Sequence, residues 1–137
     1  LDSFLISILE LIKQEISILG TFSPPINATK NYIQEKYLEP LSIKTLAKAA
    51  HLSESHLLAK FKNEVGVSPI QYQIELKLKK AKDLLTDPYL SIKEVAIQCG
   101  FEDINYFGRL FRKHHRLTPG QWKSKNNSKG KVNASKN

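Results

Sequence analysis

Two stretches of this 137-residue chain repeat one pattern about fifty residues apart. The first contains Leu41-Ser42-Ile43-Lys44, Ala47, Phe61, Ser68-Pro69 and Gln71-Tyr72; the second contains Leu90-Ser91-Ile92-Lys93, Ala96, Phe111, Thr118-Pro119 and Gln121-Trp122. The second copy carries one additional residue near Glu102, inside its turn. Internal repetition constrains the architecture strongly because both copies must fold into the same kind of unit.

Each copy predicts two short helices separated by a tight turn, which is the helix-turn-helix arrangement. Side chains that commonly begin helices precede both helices of each copy: Ser42, Ser53, Ser91 and Asp103. A cap, a proline and a glutamine then recur at residues 68–71 and 118–121, which predicts a further helix after each copy. We therefore expect the first helix-turn-helix over 42–66, a linker helix over 69–86, the second helix-turn-helix over 91–115, and a short last helix ending near Lys123.

The amino-terminal residues 1–19 place apolar side chains on one helical face, at Leu5, Leu9, Ile12, Ile16 and Leu19. Two interpretations of this face stay open: the seam of a homodimer, or ordinary packing against another part of the protein. Residues 20–25 predict a linker and residues 26–38 a helix. Because the chain starts at Leu1 and contains no methionine, we expect it to be a piece of a longer protein.

Positive charge is concentrated in the repeated part of the chain. Residues 1–40 contain 3 basic and 5 acidic residues, whereas residues 41–137 contain 18 and 8, within a formal net charge of +8. A basic surplus confined to the repeats favours a polyanionic partner, above all nucleic acid. Residues 124–137 are polar and basic without apolar periodicity, so we expect a disordered tail.

Other classes of function find little support in the sequence. The four histidines have no metal-ligand spacing, and there is no catalytic triad context or phosphate-binding loop, so we expect neither an enzyme nor a metal or cofactor site. No apolar run is long enough to cross a membrane. The single cysteine, Cys99, aligns with Ala50 of the other copy and is expected to be a small packed residue in a reducing compartment.

The helix after each turn is the candidate recognition helix. Leu57 and Phe61 in the first copy, and Phe107 and Phe111 in the second, lie four residues apart and are expected to point to the core. The opposite faces carry residues suited to bases and phosphates: Ser55, His56, Ala59, Lys62 and Asn63 in the first copy, and Asn105, Tyr106, Arg109, Arg112 and Lys113 in the second. We expect Arg109 to read guanine and Asn105 adenine. For the first copy, base reading and a contribution limited to shape and phosphate contacts both stay open, since Ala59 offers only an apolar contact.

These residues resemble the AraC/XylS family of bacterial transcription regulators over residues 26–123. The likeness is strongest in Lys77, Ala81, Leu84-Leu85, Ser91-Ile92-Lys93-Glu94-Val95-Ala96, Gly100-Phe101-Glu102-Asp103, Tyr106-Phe107, Arg109, Phe111-Arg112-Lys113 and Thr118-Pro119. The resemblance implies an all-α unit of about seven helices, in which two helix-turn-helix subdomains are joined by the linker helix; the amphipathic helix predicted for residues 1–19 is in addition. Members of the family commonly carry a sensor or dimerisation domain upstream, and by that resemblance residues 1–22 are expected to be its end. The chain departs from the family at Ala59, where a polar or basic residue is usual, and at Arg116, where glycine is usual.

The resemblance also implies a function. It implies binding to double-stranded promoter DNA in the bacterial cytoplasm and nucleoid, regulation of transcription by activation rather than repression, and RNA polymerase as a partner. By that resemblance the positions matching the two reading helices are Ser55, Leu58 and Ala59, and Ile104, Asn105, Tyr106, Gly108 and Arg109. The alternative is a protein-interaction or dimerisation module with only non-specific affinity for DNA.

Overall fold

A computed structural model describes residues 3–20 and 22–135, with side chains described for residues 3–12 and 22–127. The described residues form helices and connecting turns without strands, which confirms the predicted all-α class. The helices are α1 (Ser3–Gly20), α2 (Pro24–Lys36), α3 (Ile43–Ala50), α4 (Glu54–Val65), α5 (Pro69–Leu84), α6 (Ile92–Gln98), α7 (Ile104–His115) and α8 (Pro119–Ser135).

The chain divides into two compact units. The first comprises the residues up to Glu35 together with Leu41–Gln71, and the second comprises Lys36–Pro40 and the residues from Tyr72 onward. Helix α5 is one uninterrupted helix of 16 residues, which corresponds to about 24 Å. It ends two residues before the predicted boundary because Thr86 and Asp87 form a turn whose N–H groups donate to Asp83 and Leu84.

The first unit is built around its own helix-turn-helix, α3 and α4. Its buried apolar side chains are Ile26 and Ile33 of α2, Leu46, Ala47 and Ala50 of α3, Leu57 and Phe61 of α4, and Pro69 at the start of α5. Ser42 and Ser53 accept hydrogen bonds from backbone N–H groups in the first turns of α3 and α4, as predicted. His51, in the turn between them, adopts a left-handed conformation with φ of 57°.

The second unit encloses a core of nine buried side chains: Leu78, Ala81, Leu85, Val95, Ala96, Cys99, Phe101, Phe107 and Phe111. The rings of Phe101 and Phe107 lie 5.1 Å apart, and those of Phe107 and Phe111 lie 5.8 Å apart. Cys99 is fully buried, as expected for a packed residue, and burial raises the pKa of its thiol to about 11. It is therefore a thiol rather than a thiolate at neutral pH.

Gly100 makes the α6–α7 turn possible. Its φ is +80°, and a Cβ added there would lie 2.9 Å from the carbonyl oxygen of Leu38. Both the backbone conformation and the close approach of two main chains require glycine. This turn sets the direction in which α7 leaves the core.

Both ends of α2 differ from the prediction. The helix begins at Pro24 rather than at residue 26, so the two prolines assigned to the linker form its first turn. Proline fits there because a first-turn N–H has no helical partner to lose. At the other end, α2 stops at Lys36 rather than at residue 38.

The last helix is longer than predicted. Helix α8 continues to Ser135, so the expected end near Lys123 is wrong, and residues 124–135 are helical where a disordered tail was expected. Its start is well fixed: Thr118 and Gln121 cap each other reciprocally, and the indole N–H of Trp122 donates to the carbonyl of Lys82. Residues 124–135 contain serine, asparagine and Gly130, which are weak helix formers, so intrinsic propensity does not account for this extension. Residues 136–137 lie outside the described residues.

Arg116 occupies the position where the family has glycine, and it takes up glycine's conformation. Its φ is 64°, and its N–H donates to Arg112 to end α7. Because a left-handed conformation is costly for a residue with a Cβ, we expect Arg116→Gly to stabilise the protein by about 0.5–1 kcal/mol, after allowing for the greater unfolded-state entropy of glycine. Urea unfolding of both proteins tests this, and a destabilised Arg116→Gly variant would show that the arginine side chain contributes more than its backbone costs.

Glu64, near the end of α4, joins this helix to the start of α2. Its carboxylate accepts the Ser23 N–H at 2.5 Å and the Ser23 hydroxyl at 2.8 Å, and lies 3.4 Å from Lys60 Nζ. The hydrogen bond from the Ser23 backbone N–H, with smaller contributions from the Ser23 hydroxyl and Lys60, holds the pKa of Glu64 below its usual value, against the opposing effect of burial. The segment that follows α1 is thereby fixed to the first candidate recognition helix.

This contact predicts a pH-dependent contribution to stability. A carboxyl group whose pKa is lowered by folding stabilises the native state above its unfolded pKa and loses that effect as the pH falls. We expect Glu64→Gln to cost about 1 kcal/mol at neutral pH, since one charge-assisted acceptor is lost, and the difference from wild type to shrink as the pH falls below the unfolded pKa of glutamate. Urea titrations across this range measure it, and a difference independent of pH would contradict the assignment.

Candidate nucleic-acid interface

Helix α7 begins at the turn of the second helix-turn-helix and is oriented by its cap. Asp103 accepts hydrogen bonds from the N–H groups of Asn105 at 2.9 Å and Tyr106 at 3.2 Å. Phe107 and Phe111 are fully buried, as predicted. Their burial leaves the opposite face to solvent, and the exposed residues on and beside it include all the predicted polar contacts: Asn105, Tyr106, Arg109, Arg112 and Lys113.

A shallow groove of about 280 Å³ runs along this face. The groove brings together five residues predicted from the sequence: Ile104, Asn105, Gly108, Arg109 and Arg112. Within the described part of the chain, no atom outside its own helix backbone and its immediate neighbours lies within 4 Å of the position that a Cβ of Gly108 would occupy. Gly108 therefore leaves room on the solvent side of α7, where a ligand could approach closely, and does not serve to pack α7 against another helix.

Two groove residues were not predicted from the sequence. Thr118 and Pro119, at the start of α8, form part of the lining. They reach the groove because only three residues, Arg116 to Thr118, separate α7 from α8, and the left-handed Arg116 turns the chain back. The short connection between the two predicted helices was the feature of the sequence that could have placed Thr118 and Pro119 beside α7.

Tyr106 links the groove to the core. Its ring meets Phe101 edge-on at 6.4 Å, and the guanidinium carbon of Arg109 lies 6.0 Å from the centre of the same ring. A cation at this distance from an aromatic face is held weakly. The Tyr106 ring thus lies beside the Arg109 side chain on the exposed face.

Helix α4 presents a less polar surface in the first unit. Leu57 and Phe61 are fully buried as predicted, and the predicted contact residues are all exposed: Ser55, His56, Leu58, Ala59, Lys62 and Asn63. Two lysines on this helix differ. Lys60 lies beside Glu64, whereas Lys62 forms no ion pair among the described residues. Lys62 is therefore available to an external anion.

Comparison with known proteins gives the same picture. A family model described as "Helix-turn-helix domain" matches residues 46–125. A solved transcriptional regulator from Chromobacterium violaceum, described as AraC-type, superposes with a TM-score of 0.68 at 28% identity, covering 75% of this chain and 92% of that one. The chain belongs to the AraC/XylS family.

Two further proteins extend the comparison. The uncharacterized HTH-type transcriptional regulator YpdC of Escherichia coli (strain K12) is 35% identical over 95 residues, which are 69% of this chain and 33% of YpdC. The DNA-binding domain of AdpA, solved in complex with a target DNA, matches with a TM-score of 0.71 at 25% identity, covering 78% of this chain and 96% of that domain. The chain spans about a third of the length of the curated relatives it matches.

The AraC/XylS family, to which the chain belongs, is a family of DNA-binding transcription regulators with a helix-turn-helix domain. No group of His, Cys, Asp and Glu side chains in the part of the chain that the structure describes is arranged to hold a metal ion. Among the described helices, none has both the length and the apolarity needed to cross a bilayer.

Proposed function

We propose that the chain binds specific double-stranded DNA sequences and regulates bacterial transcription, with α4 and α7 in successive major grooves. The observation that carries this proposal is the exposed face of α7, where Asn105, Arg109 and Arg112 stand opposite the buried Phe107 and Phe111. An α-helix with such a face fits the major groove, whose base edges are read by amide and guanidinium groups.

The side chains of α7 have distinct roles in this proposal. Arg109 donates two hydrogen bonds to guanine, and Asn105 pairs with adenine. Arg112 and Lys113, one turn further along and exposed, hold phosphates. Gly108 and Ile104 allow the helix to lie close to the base edges, and Tyr106 restrains Arg109.

Helix α4 contributes shape and phosphate contacts, with less base reading. In this proposal the DNA phosphates are contacted by the cationic or polar side chains of α4, which are Lys62, His56 and Asn63. Ser55 is short enough to lie over a base edge. Ala59 and Leu58 offer apolar contact, which suits a thymine methyl group. The departure from the family at Ala59 thus predicts weaker sequence preference in this half of the site.

The length of α5 supports simultaneous binding. Half-sites one turn apart on the same face of DNA are separated by about 34 Å. A continuous helix of about 24 Å between the two helix-turn-helix motifs is of the order needed to span neighbouring grooves. A flexible linker would fix no such spacing.

Selection from a random DNA pool at a stated salt concentration tests the proposal. We expect enrichment of an asymmetric motif with two parts about one helical turn apart, the part read by α7 being the more constrained. A single short motif would mean that only one copy reads bases. Absence of enrichment would favour the alternative of a protein-interaction module with non-specific affinity for DNA.

That alternative has one observation in its favour, the apolar surface of α1. Phe4, Leu5, Leu9 and Ile12 are each at least 45% exposed, and the predicted face continues through Ile16 and Leu19, whose side chains lie outside those described. We propose that α1 or an upstream region forms a homodimer, and that the complete protein activates transcription through RNA polymerase in the bacterial cytoplasm, at the nucleoid. Sedimentation of residues 1–137 at micromolar concentration tests the first part, and a strictly monomeric chain would exclude self-association through α1.

Lys62 provides a separate test of the phosphate contacts. Lys62→Ala should lower the slope of log affinity against log salt by about 1, because one fewer counterion is released, with little change in sequence preference. Lys79→Ala, an exposed lysine of α5 outside both recognition faces, is the matched control and should leave the slope unchanged. An unaltered slope for Lys62→Ala would contradict a phosphate contact.

A further inference from the structure

A second concavity, of about 460 Å³, lies in the second unit, apart from the groove of α7. It is bounded by the α2–α3 connection, by α5 and by the α6–α7 turn. Its apolar lining comes from Leu38, Pro40, Ile97 and Phe101, and its charged groups are Lys77 and Glu102. None of these residues lines the groove of α7, although Phe101 meets the ring of Tyr106 edge-on.

The wall formed by the α2–α3 connection is held in place. Gln73 of α5 is 5% exposed, and its side-chain amide donates to the carbonyls of Tyr37 at 3.0 Å and Glu39 at 2.9 Å. On the other side, the main chain of Leu38 packs directly against Gly100. The pocket is thus preformed, as small-molecule sites usually are.

Lys77 supplies the one positive charge of this pocket. Its Nζ lies 3.4 Å from the carbonyl oxygen of Gly100 and 5.3 Å from the centre of the Phe101 ring. Among the described residues no carboxylate lies within 4.0 Å of it. Partial burial of this ammonium group lowers its pKa, because some of its hydration is lost. Two of its three N–H donors have no acceptor within the pocket.

Exposed apolar surface extends from Lys77 Nζ to the rim of the pocket. Leu38 is 37% exposed and Ile97 is 61% exposed. We propose that this pocket binds a small molecule with one carboxylate and an apolar tail, the carboxylate on Lys77 Nζ and the tail over Leu38 and Ile97. Glu102 at the rim repels a second negative charge and so favours a monocarboxylate.

Titration of the chain with sodium octanoate below its micelle concentration, followed by amide NMR, tests this site. We expect saturable shifts centred on Gly100, Phe101 and Ile97. Two control ligands of the same length, 1-octanol and suberate, should bind about tenfold or more weakly, since the first lacks the charge and the second places a carboxylate beside Glu102.

Variants separate the charge from general apolar binding. Lys77→Met keeps the length of the side chain and should weaken octanoate binding about tenfold or more, while Lys79→Met on the same helix should not change it. If Lys77→Met fails to fold, Ile97→Asp replaces an exposed residue at the rim and should weaken binding similarly. Equal binding of octanoate and octanol, shifts centred elsewhere, no saturable shift, or octanoate affinity unaffected by Lys77→Met or Ile97→Asp would each overturn the proposal. The titration with octanoate contains no DNA, so its outcome does not depend on whether the proposed DNA binding is correct.

Discussion

Replacing Arg109 with alanine is expected to weaken binding to the selected DNA by about 1–3 kcal/mol and to relax preference at one base position. The side chain is exposed on the face opposite the core, so the free energy of unfolding should not change. The loss arises because a guanidinium group donates two hydrogen bonds to one guanine, and alanine leaves that base edge without partners. Titration of the selected duplex and of its single-base variants at fixed salt measures both effects.

Two comparisons make the Arg109 result specific. Lys79→Ala removes an exposed positive charge outside the recognition faces and should leave base preference intact. Tyr106→Phe keeps the ring beside Arg109 and should retain most of the affinity. An equal loss of affinity for every DNA sequence in Arg109→Ala would argue that Arg109 contacts phosphate and not a base.

Replacing Phe111 with alanine is expected to destabilise the second unit by about 3–5 kcal/mol. The ring is fully buried, 5.8 Å from Phe107 and 4.6 Å from the imidazole of His115, so truncation leaves a cavity under α7. Such a loss is a large part of the stability of a small domain, which is about 5–15 kcal/mol. Affinity for DNA should fall with the folded fraction.

The single tryptophan, Trp122, lies in the second unit and reports on its unfolding by fluorescence. Urea titration should give a lower midpoint for Phe111→Ala than for wild type. Tyr89→Ala is the matched aromatic control, because Tyr89 is 92% exposed, and it should change the stability by no more than about 0.5 kcal/mol. A loss below about 1 kcal/mol for Phe111→Ala would contradict the packing described for α7.

The helices and their buried faces were predictable because local signals specify them. Ser42, Ser53, Ser91 and Asp103 each cap the helix that the sequence assigned to them. The four-residue spacing of Leu57 and Phe61, and of Phe107 and Phe111, identified the buried sides of both candidate recognition helices. The exposed candidate contacts then followed from helical geometry, although their roles on DNA remain predictions.

Features that depend on non-local contacts were not predictable. Thr118 and Pro119 enter the groove of α7 because of a tight turn at Arg116, whose left-handed conformation the sequence does not favour. The pocket beside Lys77 depends on Gln73 holding a segment more than thirty residues away. The extent of α8 was missed because polar residues without an apolar stripe give no periodic signal.

Hydroxyl-radical footprinting of the selected duplex tests the central claim most directly, because it reports backbone contacts even where α4 reads no bases. Two copies joined by a continuous α5 predict two protected windows about one helical turn apart on one face of the DNA. Arg112→Ala should reduce protection in one window, and Lys62→Ala in the other. A single protected window, or two windows whose separation varies among bound duplexes, would contradict the claim.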